Sequence, residues 1–312
     1  YPLSQIDVEG FKTSLSFKNL KPLTKFILAT IKMKGIIRKF GADIVIGTGG
    51  YVCAPAVAAA NIMKIPTLIH EQNVYPGSAI RFLAKNTTVT AISFDESRKY
   101  FKDAKNIVLT GNPVRASIIK ADAKKAKERL NPGGKKLVLV VGGSLGAMKI
   151  NDVVCDYIKS FRKENVKFIV STGKRDYGRV KEMLGGKDKG ENFEIFPYIH
   201  DMDAYLAASD LVICRSGAIT LSEICILKKA SILIPSPNVT HNHQEFNASA
   251  LVKNGAAVMI KESNFDTSEL KKAVDLLLDN NALRKQYGEN AYKMAKKDAT
   301  KLICESILKF AK

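Results

Sequence analysis

The sequence predicts an α/β protein of two doubly wound domains. Three observations carry that expectation. Short apolar, β-branched runs alternate with longer helical patterns almost throughout. Glycine-rich turns follow one such run in each half, at matching places. The 312 residues, 46% hydrophobic and 25% charged, are enough for two domains of ordinary size. Alternating βα units build parallel sheets, whose strands are covered on both faces and so read as apolar throughout. Ligands of such sheets bind beyond the carboxyl ends of the strands. The informative residues are therefore expected directly after the strands.

The start of the chain is strongly basic. Lys12, Lys18, Lys21, Lys25, Lys32, Lys34, Arg38 and Lys39 face only Asp7 and Glu9 in the first forty residues, within a net charge of +19. An anionic partner is expected. No zinc-knuckle spacing, RNP-like aromatic motif or Trp is present, so nucleic acid is not expected to be that partner. The spacing predicts an amphipathic helix over 20–40 that interleaves Leu23, Phe26, Ile27 and Ile31 with lysines. Either that helix packs on a core with a solvated basic face, or it lies against an anionic membrane surface. No apolar run approaches the ~18 residues of a membrane span. Five scattered cysteines without a C-x-x-C pair read as buried thiols, not a disulfide framework.

Strands are expected over 43–47, 67–71, 89–94 and 107–110 in the first domain. After the first comes "GTGGYVCAP", where Gly47, Gly49 and Gly50 let backbone approach a ligand ahead of a helix N-terminus. A tight turn needing positive φ explains it equally well. After the second comes "HEQN". His70, Glu71, Gln72 and Asn73 are four polar side chains on an apolar strand's end, and His70 or Glu71 is a candidate general base. After the fourth, "TGNPVR" marks the domain boundary. Arg115 follows a rigid Asn-Pro turn and can pair with a phosphate. The domains are expected over 1–115 and 116–295, with a C-terminal helix near 296–312 packing back on the first.

The turn "NPGG" at 131–134 restarts the pattern. Strands are expected over 136–141, 167–172, 193–198, 211–214, 231–235 and 258–261. "GGSLGA" follows the first, and Ser144 can cap the next helix or donate to a phosphate. "CRSGAITLSEI" follows the fourth. There Ser216, Gly217 and Ala218 clear space, and Glu223 can accept from both hydroxyls of a ribose or simply complement the helix dipole. "HNHQEFNA" follows the fifth. His241 and His243 are two apart, a spacing that does not place both on one helix face, and no third metal ligand is evident nearby. His243, Gln244 and Asn247 as neutral donors and acceptors suit sugar hydroxyls and an acetamido group.

"GTGGYVCAP", "HEQN", "TGNPVR", "GGSLGA", "CRSGAITLSEI" and "HNHQEFNA", in this order, resemble the MurG family of N-acetylglucosaminyltransferases, from about Asp7 to the C-terminus. The resemblance implies a GT-B fold with the active site in an interdomain cleft. It implies transfer of N-acetylglucosamine from UDP-N-acetylglucosamine to a lipid-linked muramoyl-pentapeptide, with inversion, no metal centre and no cofactor, at the cytoplasmic face of the cell membrane. It places Glu223 on the uridine ribose and Ile199 and Ala218 about the uracil. Ser144 and Arg115 fall on the diphosphate, and Gln244 with His243 on the sugar. Gly49, Gly50, Tyr51 and Asn73 fall on the acceptor side. It also implies a further strand, glycine loop and candidate histidine base before Tyr1, so the chain is expected to be N-terminally incomplete. The rival expectations are a glycosyltransferase acting on diacylglycerol, a UDP-N-acetylglucosamine 2-epimerase, and a non-catalytic donor-binding fragment.

Overall fold

The computed structural model describes residues 3–10, 20–131, 133–143 and 147–311. The chain divides into two compact units. One joins Tyr1–Asn112 to Asp298–Lys312, and the other is Pro113–Lys297.

The first unit has a four-stranded parallel sheet in the order β1 (Val45–Gly47), β2 (Thr67–Glu71), β3 (Val89–Ile92), β4 (Ile107–Leu109). β2 and β3 are buried at every residue, as expected for central strands. β1 and β4 are only partly covered, because each pairs on one side alone among the described residues. Helices α1 (Leu20–Phe40), α2 (Ala54–Ile62) and α3 (Ser78–Ala84) belong to this unit. Phe26 of α1 joins Ala54, Val57, Ile69 and Ile80 in the core, and Ile37 packs with Ala59 and Ala60. Ile307 and Phe310, at the end of α13 (Ala299–Leu308), pack with Leu68, Val89 and Ala91.

The second unit has a six-stranded parallel sheet made of β5 (Lys136–Val141), β6 (Val166–Ser171), β7 (Phe193–Phe196), β8 (Leu211–Cys214), β9 (Ala230–Leu233) and β10 (Ala257–Met259). Its order is β10-β9-β8-β5-β6-β7, so the direction of winding reverses between β5 and β8. A crevice for a ligand opens where two such loops diverge, at the carboxyl ends of those two strands. Around the sheet lie α4 (Ala116–Ile119), α5 (Ala123–Leu130), α6 (Met148–Ser160), α7 (Tyr177–Met183), α8 (Met202–Ala208), α9 (Ala218–Ile226), α10 (His243–Lys253), α11 (Thr267–Asp279) and α12 (Asn281–Met294).

Local chemistry sets several of these boundaries. Asp122 accepts from the Lys124 and Lys125 amides to start α5, and Asp266 and Asn280 cap α11 and α12 in the same way. α10 stops at Gly255, whose φ of +61° suits glycine. Gly288 lets α12 touch the turn after α9: a Cβ there would lie 2.2 Å from the Lys228 carbonyl oxygen. Lys229 is buried and donates to the Ala207 and Ser209 carbonyls at the end of α8, and burial pushes its ammonium down to about 8. The cysteines depart in part from expectation. Cys155, Cys214 and Cys225 are buried, but Cys53 is only partly covered and Cys304 is exposed.

Candidate active site

In the first unit the polar residues converge on the carboxyl end of the sheet. The Gln72 amide donates to the Thr48 carbonyl (2.8 Å) and to His70 Nδ1 (3.1 Å), joining the glycine turn to the end of β2. With Nδ1 accepting, the proton sits on Nε2, which donates to the Gly111 carbonyl at 3.0 Å. Ser93 Oγ reaches the Glu71 carbonyl and Asn112 Oδ1, both at 2.8 Å, and the Asn112 amide donates to the Gln72 carbonyl. The Glu71 carboxylate accepts from the Asn73 amide and side chain and from the Gly77 amide. His70 is 5% exposed and Glu71 2%. Burial lowers the imidazole below its ordinary range and raises the carboxyl.

This geometry gives both sequence-based candidates for the base structural partners. Both His70 nitrogens are occupied by neighbours, and Glu71 is buried and binds three N–H groups of its own loop. In this arrangement the pair fixes the turn after β2. Gly49, with φ +102°, and Gly50, with φ +70°, need the freedom of glycine, so the tight-turn reading holds at both. Tyr51 begins a short 3-10 turn and is half-exposed, as the Asn73 side chain is in part.

In the second unit a pocket of about 840 Å³ opens at the reversal between β5 and β8. Gly142 and Gly143 line it beyond β5, and Arg215 and Gly217 beyond β8. Ser236 and Asn238 line it beyond β9, and Gln244 from α10. Gln244 is a clamp: its Oε1 accepts from the Ser216 amide (3.2 Å) and the Ser236 amide (2.9 Å), and Nε2 is its donor group. Asn247, fully buried, donates to the Ser216 carbonyl at 3.2 Å. His243 Nδ1 is 2.9 Å from the Thr240 carbonyl, so Nε2 is the ring's acceptor. His241 and Asn242 both have positive φ, 55° and 52°, which turns the chain sharply into α10. Among the described residues no group of three or more His, Cys, Asp or Glu side chains is placed to hold a metal ion.

Three further residues were not singled out by sequence reasoning. Arg215 donates to the Ile234 and Pro235 carbonyls and pairs with Glu262, which fixes the wall of the pocket. Lys149, in the first turn of α6, lines the pocket and has no ion-pair partner among the described residues. A cation at a helix N-terminus is unfavourable unless an anion shares the space. Its place just after a glycine turn was the available signal. Asp203, on α8, pairs with Arg115. Nothing in its local sequence marks it, because the partner lies 88 residues earlier.

The residues expected at the nucleoside fall as follows. Glu223, 8% exposed, lies in α9 beyond its first turn, and Ala218 is that helix's first residue. Ile199 is buried in the loop between β7 and α8. Arg115 precedes α4, which packs on α8 and α9, and its Nη2 is 3.1 Å from Glu223 Oε1. Arg115 therefore stands beside Glu223, the ribose candidate, and is not among the residues that line the pocket at the glycine turn. Ser144 lies outside the described residues.

A glycine-lined pocket at the reversal of a parallel sheet is where a doubly wound α/β fold binds its ligand. The chain matches the Glycosyltransferase family 28 N-terminal domain over residues 1–92 and the Glycosyltransferase family 28 C-terminal domain over residues 137–303. The UDP-N-acetylglucosamine–N-acetylmuramyl-(pentapeptide) pyrophosphoryl-undecaprenol N-acetylglucosamine transferase of Thermoanaerobacter sp. strain X514 is 41% identical over 310 residues, 98% of this chain and 85% of that protein. The chain belongs to this family, the MurG N-acetylglucosaminyltransferases. The crystal structure of Acinetobacter baumannii MurG superposes with a TM-score of 0.80 at 27% identity, covering 99% of this chain and 85% of that one. The Neisseria meningitidis UDP-GlcNAc 2-epimerase bound to UDP-GlcNAc shares the fold (TM-score 0.67) at 15% identity, covering 96% and 83%.

Proposed function

We propose that this chain transfers N-acetylglucosamine from UDP-N-acetylglucosamine to the lipid-linked muramoyl-pentapeptide, its C-terminal unit holding the donor and its N-terminal unit the acceptor. The observation that carries the donor assignment is the pocket between the ends of β5 and β8. Glu223 takes the ribose hydroxyls, and Ile199 and Ala218 enclose the uracil. Gln244 presents Nε2, and His243 Nε2, to the N-acetylglucosamine. Ser144, Lys149 and the start of α6 meet the diphosphate. The acceptor's sugar hydroxyl attacks the anomeric carbon with inversion and releases its proton to solvent, the bond to the phosphate oxygen breaks, and UDP leaves with the electron pair. Positive charge already fixed at Lys149 and the helix amides stabilises that departing group. Gly49, Gly50, Tyr51 and Asn73 serve the acceptor, and His70 and Glu71 hold their loops in place without moving a proton.

Calorimetric titration with UDP-N-acetylglucosamine tests the donor site. The chain is expected to bind, and Glu223→Ala to weaken binding by about two orders of magnitude. Binding by a folded Glu223→Ala protein at the parent affinity sinks the ribose assignment. Conversion of the donor without any acceptor favours the epimerase reading.

We also place the chain peripherally at the cytoplasmic face of the cell membrane. Among the described residues no helix is long and apolar enough to cross one. α1 instead turns Leu23, Ile27, Leu28 and Ile31 outward, with Leu28 61% and Ile31 60% exposed, beside Arg38 and Lys39. Its inward face is Phe26, Ala29, Met33 and Ile37, so Phe26 belongs to the core and not to the outer face. An apolar and basic outer surface fits anionic lipid headgroups. Leu28→Glu with Ile31→Glu is expected to abolish sedimentation with phosphatidylglycerol vesicles while leaving donor binding intact. Undiminished sedimentation counts against this surface.

A further inference from the structure

Arg215 ties together the ends of three neighbouring strands. It follows β8 directly, and its Nη1 donates to the Ile234 carbonyl at 3.2 Å and the Pro235 carbonyl at 3.3 Å, just beyond β9. Its Nη2 pairs with Glu262, in the turn after β10. Both side chains are mostly covered, yet both residues line the pocket. A planar guanidinium, with its N–H groups in one rigid fork, can span two carbonyls and a carboxylate at once, which the single ammonium of a lysine cannot.

The two loops that this fork joins supply the amides that hold Gln244. Ser216 is the residue after Arg215, and Ser236 is the residue after Pro235. Their amides converge on Gln244 Oε1, at 3.2 and 2.9 Å. Two N–H donors on one oxygen take both of its lone pairs and decide which way the side-chain amide lies, since the flipped amide would set an NH2 group against both. Asn247 Nδ2 steadies the first loop through the Ser216 carbonyl at 3.2 Å. What Gln244 can offer a ligand is then an N–H donor, and its aim depends on the spacing of the two loops. We propose that Arg215 is a positioning residue for the sugar of the donor: by holding the loops after β8 and β9 at one spacing it fixes the Gln244 amide, and so sets how strongly a hydroxyl or acetamido oxygen of the sugar is recognised. The inference rests on the reading of Gln244 as a sugar ligand.

The test is a double-mutant cycle by calorimetry on Arg215→Met, Gln244→Ala and the combined variant, each checked for a native thermal transition. The quantity read is the affinity for UDP-N-acetylglucosamine divided by that for UDP, a ratio in which a general loosening of the pocket cancels. Arg215→Met is expected to lower the ratio on the order of tenfold. In the Gln244→Ala background the same substitution is expected to leave the ratio unchanged, because no amide remains to be aimed. Glu262→Gln keeps Arg215 and the shape of the wall but removes its charge partner. It is expected to lower the ratio about threefold, and it decides the question should Arg215→Met lack a native transition. Equal losses for UDP and UDP-N-acetylglucosamine would show that Arg215 acts on the nucleotide or on the fold at large, and would overturn the proposal. So would a fall in the ratio that is the same in both backgrounds, or an unchanged ratio in Glu262→Gln. Gln244→Ala separates the two ideas. If it leaves the ratio unchanged, the sugar reading of Gln244 has failed and the role of Arg215 falls with it; if it lowers the ratio and Arg215→Met does not, only the role of Arg215 has failed.

Discussion

The two units gather polar side chains at the same place, the carboxyl end of a parallel sheet, and use them in opposite ways. In the N-terminal unit His70, Glu71, Gln72, Ser93 and Asn112 bond to one another and to the ends of three neighbouring strands. In the C-terminal unit the ends of β5 and β8 part around a pocket, Lys149 has no ion-pair partner among the described residues, and Arg115 is shared between two carboxylates. A satisfied buried network rigidifies, whereas a partly committed one can rearrange around a ligand. On the reading proposed above, polar residues at strand ends are thus scaffold in one half and binding surface in the other.

The sharpest way to break that comparison is to make one isosteric change in each unit. Glu71→Gln keeps the shape but offers one acceptor oxygen where two are used, so the Asn73 or Gly77 amide faces an NH2 group. Leaving a buried donor unmet costs about 1–3 kcal/mol, and urea denaturation is expected to show a loss of about 2 kcal/mol. The pH dependence of the reaction should keep its form. Glu223→Gln removes a buried charge and leaves Arg115 with Asp203. Its stability is expected to lie within about 1 kcal/mol of the parent, with the loss falling on UDP affinity instead. If Glu71→Gln is stable but turns over at least a hundredfold more slowly, Glu71 is a base after all and the contrast between the units collapses.

The glycine turn gives a smaller effect. A methyl on Gly49 would stand 3.2 Å from Gln72 Oε1 at a φ of +102°, a conformation that alanine avoids. Gly49→Ala is expected to cost about 1–2 kcal/mol in denaturation, with no change in UDP affinity. A change in UDP affinity would show that the turn is not a feature of the N-terminal unit alone.

Most of this fold was legible because its signals are local. Each of the ten runs became a strand, displaced at its ends by a few residues, since a buried β-branched run has little else to form. Partner choice was not. "HEQN" announces four polar groups, but not that Gln72 accounts for the His70 lone pair or that Glu71 turns back on its own loop. Those facts depend on Thr48, Gly77 and Gly111, which only the folded sheet brings near. Arg115, by its turn alone, reads as a phosphate ligand. Its actual neighbours, Asp203 and Glu223, come from helices about 90 and 110 residues further on, beyond the reach of any spacing rule. Outward Leu28 and inward Phe26 differ by two positions on α1, a rotation fixed by what the helix packs against.

The least effect, and the most specific to the buried network, is expected from His70. Burial lowers its pKa in the folded chain below the ordinary value near 6.5. As pH falls through that window the unfolded chain takes up a proton that the folded chain refuses, so stability is complete above about pH 6.5 and declines as acid is added. The slope from one such group cannot exceed about 1.4 kcal/mol per pH unit. Glu71 works against it. Its carboxyl is raised in the folded state, so from its ordinary value up to the raised one it is the folded chain that holds the extra proton, and stability falls as pH rises there. The total curve mixes the two, but the difference between the parent and His70→Gln isolates the imidazole. That difference should be flat above pH 6.5 and tilt toward the variant below it. A flat difference throughout would mean that His70 titrates as it does in an unfolded chain. The ring would then be open to water, and the network around it would not be the closed scaffold that separates the N-terminal unit from the C-terminal one.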